Sequence, residues 1–243
     1  MHQIGIDIGS TYIKYCVVSE KNEIQDVYME RTPIRQKIYF EKKILNLKKT
    51  YPNSIIVSCG YGRKNVGATK CISELMALTK GSYYIVPTLN TVLDIGGQDT
   101  KLVCHKAGKL KEFFVNDKCA AGSGIFFDNI CKLLEVNYKD IDLTNIQQPE
   151  VHLSSVCAVF AQSEIVELLA NNISVEKIIQ AVIWQILIQA KSLLGKVKES
   201  DILLSGGLSQ IKGIEKFAEH ALERKCYTSI YSPYFSAIGC SLT

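Results

Sequence analysis

The chain has 243 residues, which is enough for one large domain or two smaller ones. Hydrophobic residues make up 47% and charged residues 21%, as in ordinary globular proteins, so extended disorder and collagen-like assembly are excluded. The 28 basic and 24 acidic residues give a formal charge of +4, which is too small and too scattered to indicate a nucleic-acid partner.

The sequence also bears on where the protein works. The N-terminal stretch MHQIGIDIGS lacks a basic leader and a long apolar core, so no secretory signal is expected. The most apolar stretch, residues 178–194, is interrupted by glutamines and a lysine, which predicts a core helix rather than a membrane span. Nine cysteines without a secretory signal argue against a disulfide framework. We therefore expect a cytoplasmic protein with no membrane partner.

Two segments share a short apolar run that ends in Asp-Ile-Gly. The first covers residues 3–11, with a returning strand at 13–18, and the second covers residues 91–100, with a returning strand at 101–104. The triplet recurs after 87 positions. The repeat predicts a duplicated α/β unit rather than a single sheet.

The other predicted elements lie between and after these hairpins. They are a solvated basic helix over 40–49, a buried strand at 55–58, helices over 71–80, 123–136, 159–171, 175–197 and 211–222, and a small-residue turn at 205–207. We expect one α/β lobe over residues 1–90, against which about residues 236–243 pack, and a second lobe over residues 91–235, with a cleft between them.

Both hairpin turns suit phosphate binding. Backbone N–H groups approach an anion closely where side chains are small, and hydroxyl groups add donors. The residues that meet this need are Gly9, Ser10, Thr11, Gly96 and Gly97. Each turn taken alone is more simply interpreted as a ligand-free hairpin, and the chain contains no P-loop motif.

Charged and amide side chains flank these turns. Asp7 and Asp94 are suited to hold Mg²⁺ through water, because that ion keeps several waters and takes few carboxylates. Lys14 is suited to neutralise phosphate charge, and Gln98 or Asp99 to orient a water for attack on a terminal phosphate. The predicted catalytic residues are Asp7, Asp94, Gln98 and Asp99.

The order of the three turns resembles the actin, sugar-kinase and heat-shock-chaperone ATPase superfamily. The resemblance implies a two-lobed α/β fold of duplicated ribonuclease-H-like domains. It further implies that the hairpins hold the phosphates of ATP from either lobe, while Gly206 and Gly207 lie against the adenosine.

Two cysteines each precede a predicted helix, Cys119 in NDKCAAGSG and Cys157 in SSVCAVFAQSE. A thiolate at a helix N-terminus is stabilised by the helix dipole and by unpaired N–H groups. An iron–sulfur cluster needs about four thiolates, which two copies of the chain around a twofold axis would supply. Core packing or a disulfide between the two cysteines remain alternatives. The other cysteines lie in apolar runs and are predicted to pack in the core: Cys16, Cys59, Cys71, Cys104, Cys131, Cys226 and Cys240.

The strings IGIDIGSTYIK, CGYGRKNV, SELMALTKG, VLDIGGQDTKL, NDKCAAGSG, SSVCAVFAQSE and LLSGG follow in this order. Together they resemble the BadF/BadG/BcrA/BcrD ATPase family, and within it the activators of 2-hydroxyacyl-CoA dehydratases. The resemblance implies a homodimeric ATPase with one [4Fe-4S] cluster held between subunits by Cys119 and Cys157. It also implies a ferredoxin- or flavodoxin-like electron donor and a partner iron–sulfur dehydratase or aryl-CoA reductase.

The resemblance also extends the expected ATP site. The family's phosphate loop matches Ser10, Thr11, Tyr12, Ile13 and Lys14, and Gly122 and Ser123 are expected among the ATP contacts. Ile125 departs from the pattern, since family members commonly have Arg there. The rival functions are activation of a related reductase with larger clusters, a small-molecule kinase of the same superfamily, and a non-enzymatic nucleotide switch.

Overall fold

The computed structural model describes residues 2–117, 123–154, 157–198 and 200–243. The predicted site residues Cys119 and Gly122 lie outside these ranges. The elements in chain order are β1 (Gln3–Ile8), β2 (Tyr12–Val18), β3 (Ile24–Arg31), α1 (Gln36–Thr50), β4 (Ile55–Gly60), β5 (Lys70–Cys71), α2 (Glu74–Ile85), β6 (Thr91–Ile95), β7 (Thr100–Lys106), β8 (Lys109–Asn116), α3 (Gly124–Leu133), α4 (Ala158–Ala170), α5 (Val175–Leu194), β9 (Ile202–Gly206), α6 (Ile214–Leu222), β10 (Cys226–Tyr227) and α7 (Phe235–Ser241).

The chain divides into two compact units. The first comprises Met1–Asn90, Val103–Glu112 and Tyr231–Thr243, and the second comprises Thr91–Leu102 and Phe113–Ile230. Compared with the expected lobes, residues 103–112 and 231–235 group with the first unit. The first segment groups there because His105 packs edge-on against Tyr83. The second does so because Tyr231 packs against the buried cluster of Cys16, Val18, Ala237 and Ile238.

The first unit is built on a five-stranded sheet of order β3-β2-β1-β4-β5. The β1–β2 and β2–β3 pairs are antiparallel, whereas β4 runs parallel to β1. The central strand β1 is buried on both faces, as strands covered by helices are. Phe40 and Leu47 of α1 join its isoleucines in one core cluster, and Ala237 and Ile238 of α7 pack with Cys16 and Val18 of β2 in another.

The sheet of the second unit has the order β10-β9-β6-β7-β8. Read in the opposite direction and with β6 counted as the first strand of its unit, this is the order 3-2-1-4-5 of the first sheet. Strand β9 runs parallel to β6, as β4 does to β1. The duplication predicted from the Asp-Ile-Gly repeat is therefore present in the topology. The core of this unit forms where α3, α5 and α6 cover the sheet.

Helix α5 is the one described helix that is long and apolar enough to cross a bilayer. More than half of its apolar window is buried within the protein. Ile183 and Ile186 have no exposed surface. Helix α5 is therefore buried as expected for the core helix that the sequence predicts over residues 175–197.

Several element boundaries differ from the predicted ones for local reasons. The helix predicted over 71–80 begins at Glu74, because Cys71 pairs with β4 and the Ser73 hydroxyl caps the helix by accepting from the Met76 N–H. The helix predicted over 211–222 begins at Ile214, after Gly213 adopts a left-handed conformation. Strands β3 and β8 were not predicted, and no bounds were predicted for the short final helix α7.

Candidate nucleotide site and candidate cluster cysteine

The first hairpin places a buried carboxylate among three strands. Asp7, at the end of β1, lies opposite Lys14 on β2 and opposite Cys59 on β4. Its Oδ2 is 3.4 Å from the Lys14 Nζ, and its Oδ1 is 3.5 Å from the Cys59 Sγ. Asp7 is 3% exposed. Each carboxylate oxygen therefore has one partner, as a buried anion requires.

The turn that follows Asp7 is fixed by backbone hydrogen bonds. The Gly9 N–H donates to the Tyr12 carbonyl, and the Thr32 N–H donates to the Thr11 carbonyl. The Thr32 hydroxyl donates to the Gly9 carbonyl at 2.8 Å. Gly9, Ser10 and Thr11 stay partly exposed. The turn is thus rigid in its backbone and accessible at its polar atoms, which suits phosphate binding.

The second hairpin repeats this arrangement with a hydroxyl donor in place of the thiol and with a second carboxylate. Asp94 on β6 accepts a hydrogen bond at Oδ1 from the Ser205 hydroxyl at 2.7 Å, and its Oδ2 lies 3.9 Å from the Lys101 Nζ. Lys101 also contacts Asp99 Oδ1 at 2.6 Å. All four residues are buried. One lysine thus compensates two buried carboxylates.

The two candidates for orienting a water differ in their surroundings. Gln98 is exposed at the tip of the turn. Asp99 is buried and ion-paired with Lys101, and its carbonyl accepts from the Gly96 N–H at 2.9 Å. Asp99 therefore stabilises the turn, and Gln98 is the candidate that solvent reaches.

The start of α3 is joined to the second turn. The Gly124 N–H donates to the Gly96 carbonyl at 2.8 Å, and the Ile125 N–H donates to the Gly97 carbonyl at 2.9 Å. Ser123, the predicted ATP contact, is the N-cap of α3 and is buried. The structure thus brings Ser123 to the Gly96-Gly97 turn.

The third predicted turn ends β9. Gly206 has φ +87°, and its carbonyl accepts a hydrogen bond at 2.6 Å from the Ser209 hydroxyl. The Gly207 carbonyl accepts from the Tyr138 hydroxyl. Gly207 itself is exposed, so the small-residue turn is open to solvent on this side.

The sequence analysis assigned no role beside the aspartates to three residues of these clusters, namely Cys59, Lys101 and Ser205. Lys101 follows Asp94 by the same seven positions that separate Lys14 from Asp7, so this spacing was available as a signal. The other two reach the aspartates only through the pairing of β4 and β9 with their neighbours.

Most described cysteines are packing residues. Cys16, Cys59, Cys131, Cys226 and Cys240 are buried, as predicted. Burial raises the pKa of Cys16 to about 11 and the pKa values of Cys131 and Cys226 to about 12, so these thiols stay protonated. Cys104 is half-buried. For Cys71 the prediction was wrong, because it is exposed on the edge strand β5.

Cys157 is exposed and forms the N-cap of α4, as the sequence predicted. All eight described cysteines are free thiols. On the first turns of α4 the Glu164 carboxylate accepts hydrogen bonds from the Ser154 N–H at 2.7 Å and from the Ser154 hydroxyl at 3.0 Å. Within the described ranges no group of three or more His, Cys, Asp or Glu residues is placed to hold a metal ion.

Helix α4 exposes an apolar surface next to Cys157. Only Ala161 and Ile165 are buried among its residues. Val159 and Phe160 are 71% and 67% exposed, and the exposed apolar residues of the helix also include Val166 and Leu169. Contiguous exposed apolar side chains of this kind mark interaction surfaces.

Comparison with known proteins decides the family. Residues 4–243 match the BadF/BadG/BcrA/BcrD ATPase family. The chain belongs to this family. It is 32% identical to the activator of lactoyl-CoA dehydratase from Anaerotignum propionicum, over 100% of this chain and 96% of that protein.

Solved structures of family members share the fold. The activator of 2-hydroxyisocaproyl-CoA dehydratase from Clostridium difficile, solved with bound ADPNP, superposes with a TM-score of 0.89 at 29% identity. The match covers 100% of this chain and 93% of that one. A ROK family glucokinase from Streptomyces griseus matches with a TM-score of 0.60 at 12% identity, over 99% and 98% of the two chains, and shares the fold alone. The protein is an ATPase of the two-lobed actin and sugar-kinase fold.

Proposed function

We propose that the protein is a cytoplasmic, homodimeric ATPase that shares one [4Fe-4S] cluster between two copies and passes electrons to a partner iron–sulfur enzyme. The proposed partner is a 2-hydroxyacyl-CoA dehydratase or an aryl-CoA reductase. A ferredoxin- or flavodoxin-like protein is the proposed electron donor. Membership of the family and the likeness to a dehydratase activator support this proposal.

In the proposed nucleotide site the two hairpins hold the phosphates of ATP. The first turn contributes Gly9, Ser10, Thr11, Tyr12, Ile13 and Lys14, and the second contributes Gly96, Gly97 and Gln98, with Gly122 and Ser123 beside it. Asp7 and Asp94 hold Mg²⁺ through water, and Gly206 and Gly207 border the adenosine. We assign water orientation to Gln98, because Asp99 is buried against Lys101.

The observation that carries the cluster proposal is the placement of Cys157. Its thiol is exposed at the N-terminus of α4, where the helix dipole stabilises a thiolate and an anionic metal–sulfur centre. The adjacent Val159 and Phe160 are exposed apolar residues that a second copy of the chain would cover. With Cys119 as the second ligand, two copies supply four thiolates. When bound, such a cluster supplies a one-electron carrier of low potential.

A contact between α3 and the second hairpin turn supports coupling between the two proposed sites. The cluster residue Cys119 precedes α3 by five positions, and the first two N–H groups of α3 donate to the carbonyls of Gly96 and Gly97. A displacement of this turn on ATP binding or hydrolysis therefore acts directly on the start of α3. We propose this contact as the route by which nucleotide state changes cluster exposure and partner fit.

Iron and sulfide analysis of anaerobically purified protein tests the cluster. We expect about four of each per dimer, and we expect Cys157→Ala and Cys119→Ala to lose both. Cys71→Ala is the matched control, because Cys71 is the other exposed cysteine of the described ranges, and it should keep the full content. Wild-type dimers that contain no iron after anaerobic reconstitution would overturn the cluster proposal.

The fate of the terminal phosphate separates the rival functions. An activator releases free phosphate, whereas a small-molecule kinase transfers phosphate to a product. A colourless, air-stable and monomeric preparation would instead favour a non-enzymatic nucleotide switch.

A further inference from the structure

The environment of Asp94 shows how this fold holds an aspartate at the end of its central strand. Ser205 lies directly across the parallel β6–β9 pair and donates its hydroxyl proton to Asp94 Oδ1 at 2.7 Å. The other oxygen, Oδ2, faces Lys101. The two oxygens of the carboxylate are thereby distinguished, since one is held by the neighbouring strand and the other faces the lysine.

The first unit repeats this arrangement with a different donor. Cys59 occupies the position of Ser205, directly across the parallel β1–β4 pair from Asp7. Its Sγ lies 3.5 Å from Asp7 Oδ1, within range of a sulfur hydrogen bond, while Oδ2 faces Lys14. The same oxygen thus has the same kind of partner in both units.

The glycine after each donor also corresponds. Gly60 and Gly206 have φ values of +84° and +87°. A Cβ on Gly60 would lie 2.4 Å from the Ile8 carbonyl oxygen, and one on Gly206 would lie 2.1 Å from that of Ile95. The close approach of the strands at these glycines sets the distance over which the donor side chain reaches the aspartate.

The surroundings of the Cys59 thiol agree with a donor role. Cys59 has no exposed surface, and its Sγ lies nearer to Asp7 Oδ1, at 3.5 Å, than to the Ser236 carbonyl oxygen, at 4.0 Å. Cys240 is a further hydrogen-bond partner of this thiol. The carboxylate carries the charge and is therefore the stronger acceptor for the thiol proton.

We propose that Cys59 is a positioning residue for Asp7, which fixes Oδ1 so that Oδ2 is the oxygen presented to the magnesium-bound water. This inference rests on the proposed role of Asp7 in the nucleotide site. Cys59 itself touches neither nucleotide nor metal. A thiol is a weaker donor than a hydroxyl, so a serine in its place preserves the function.

The test measures the dependence of ATP hydrolysis on Mg²⁺ in the anaerobically purified full-length protein. It also measures Mn²⁺ affinity by electron paramagnetic resonance, with Mn²⁺ as the probe ion and ATP present. Cys59→Ala should raise the Mg²⁺ concentration for half-maximal hydrolysis by about fivefold and weaken Mn²⁺ binding in parallel. Cys59→Ser, which restores a donor, should stay within about twofold of wild type.

Cys16→Ala is the matched control. Cys16 is a fully buried cysteine of the same unit whose sulfur contacts Ser241 instead of an aspartate, so its loss should not move either metal readout. Thermal unfolding is followed for every variant. If Cys59→Ala does not fold, Cys59→Val serves as the donor-free variant that fills the space.

Donor-free variants with wild-type metal dependence would overturn the positioning role, even if they were less stable. Asp7→Asn separates this failure from that of the proposed site. If Asp7→Asn shifts the metal dependence and the Cys59 variants do not, only the positioning role fails. If Asp7→Asn leaves the metal dependence unchanged, both the proposed role of Asp7 and the positioning role of Cys59 are wrong.

Discussion

The Nζ of Lys101 lies 2.6 Å from Asp99 Oδ1, and both side chains are buried. The same Nζ lies 3.9 Å from Asp94 Oδ2. Lys101→Met would leave two buried carboxylates without their shared counter-charge. We expect a loss of about 3 kcal/mol in the free energy of unfolding, measured by urea denaturation.

Lys14→Met is the matched control for this substitution. Lys14 is the corresponding lysine of the first hairpin, but its side chain is 19% exposed against 7% for Lys101. It pairs with Asp7 at 3.4 Å, whereas Lys101 also pairs with Asp99 at 2.6 Å. Water therefore compensates part of the loss, and we expect about 1 kcal/mol or less. Equal losses in the two variants would contradict the bridging role of Lys101.

The glycine that ends β9 is predicted to tolerate no side chain. Gly206→Ala would combine a backbone conformation, φ +87° and ψ −175°, that is essentially restricted to glycine with a Cβ 2.1 Å from the Ile95 carbonyl oxygen. Gly67→Ala is the control for a positive φ without a steric contact, because Gly67 has φ +66° but nothing lies within 4 Å of the position that a Cβ would take there. We expect thermal unfolding to show a clearly larger loss at Gly206; similar losses would mean that the strands separate easily there.

The fold was predictable where one segment carried its own pattern. The two hairpins contain buried runs closed by Asp-Ile-Gly, so the duplication was visible from residues 3–18 and 91–104. Strand β3 was not, because charged and polar residues interrupt its apolar ones and none of its residues is fully buried. The bounds of helix α7 could not be predicted, because its seven residues are too few to show a helical period and are buried only by tertiary packing.

The site was predictable only in part for the same reason. Asp7 and Asp94 stand next to recognisable turns in the sequence. Their partners Cys59 and Ser205 are separated from them by dozens of positions, and only the strand register brings them together. Lys101 could have been found from the repeated seven-residue spacing, but its second contact with Asp99 depends on the geometry of the turn.

Substitutions at Gln98 and Asp99 are predicted to have different effects on ATP hydrolysis and on stability. Gln98→Ala removes an exposed amide, so we expect a lower kcat for ATP hydrolysis with unchanged thermal stability. Asp99→Asn removes the charge next to Lys101, so we expect the larger effect on unfolding. Steady-state hydrolysis and thermal unfolding, measured side by side, distinguish the two. If the Asp99→Asn protein is as stable as wild type but does not hydrolyse ATP, Asp99 and not Gln98 orients the water.

His105 gives the first unit a pH-dependent contribution to stability. Its ring is buried, with Nε2 3.4 Å from the Ser82 hydroxyl, and burial lowers its pKa from the ordinary value of 6.5. Below about pH 6.5 the ring binds a proton in the unfolded chain more readily than in the folded protein. The free energy of unfolding is therefore highest above about pH 6.5 and decreases as the pH falls. Urea unfolding between about pH 7.5 and about pH 5 should therefore show a steeper decline for wild type than for His105→Gln, which cannot titrate. Parallel curves for the two proteins would show that His105 has the same pKa in the folded and unfolded states. Burial of its ring would then not make the free energy of unfolding depend on pH.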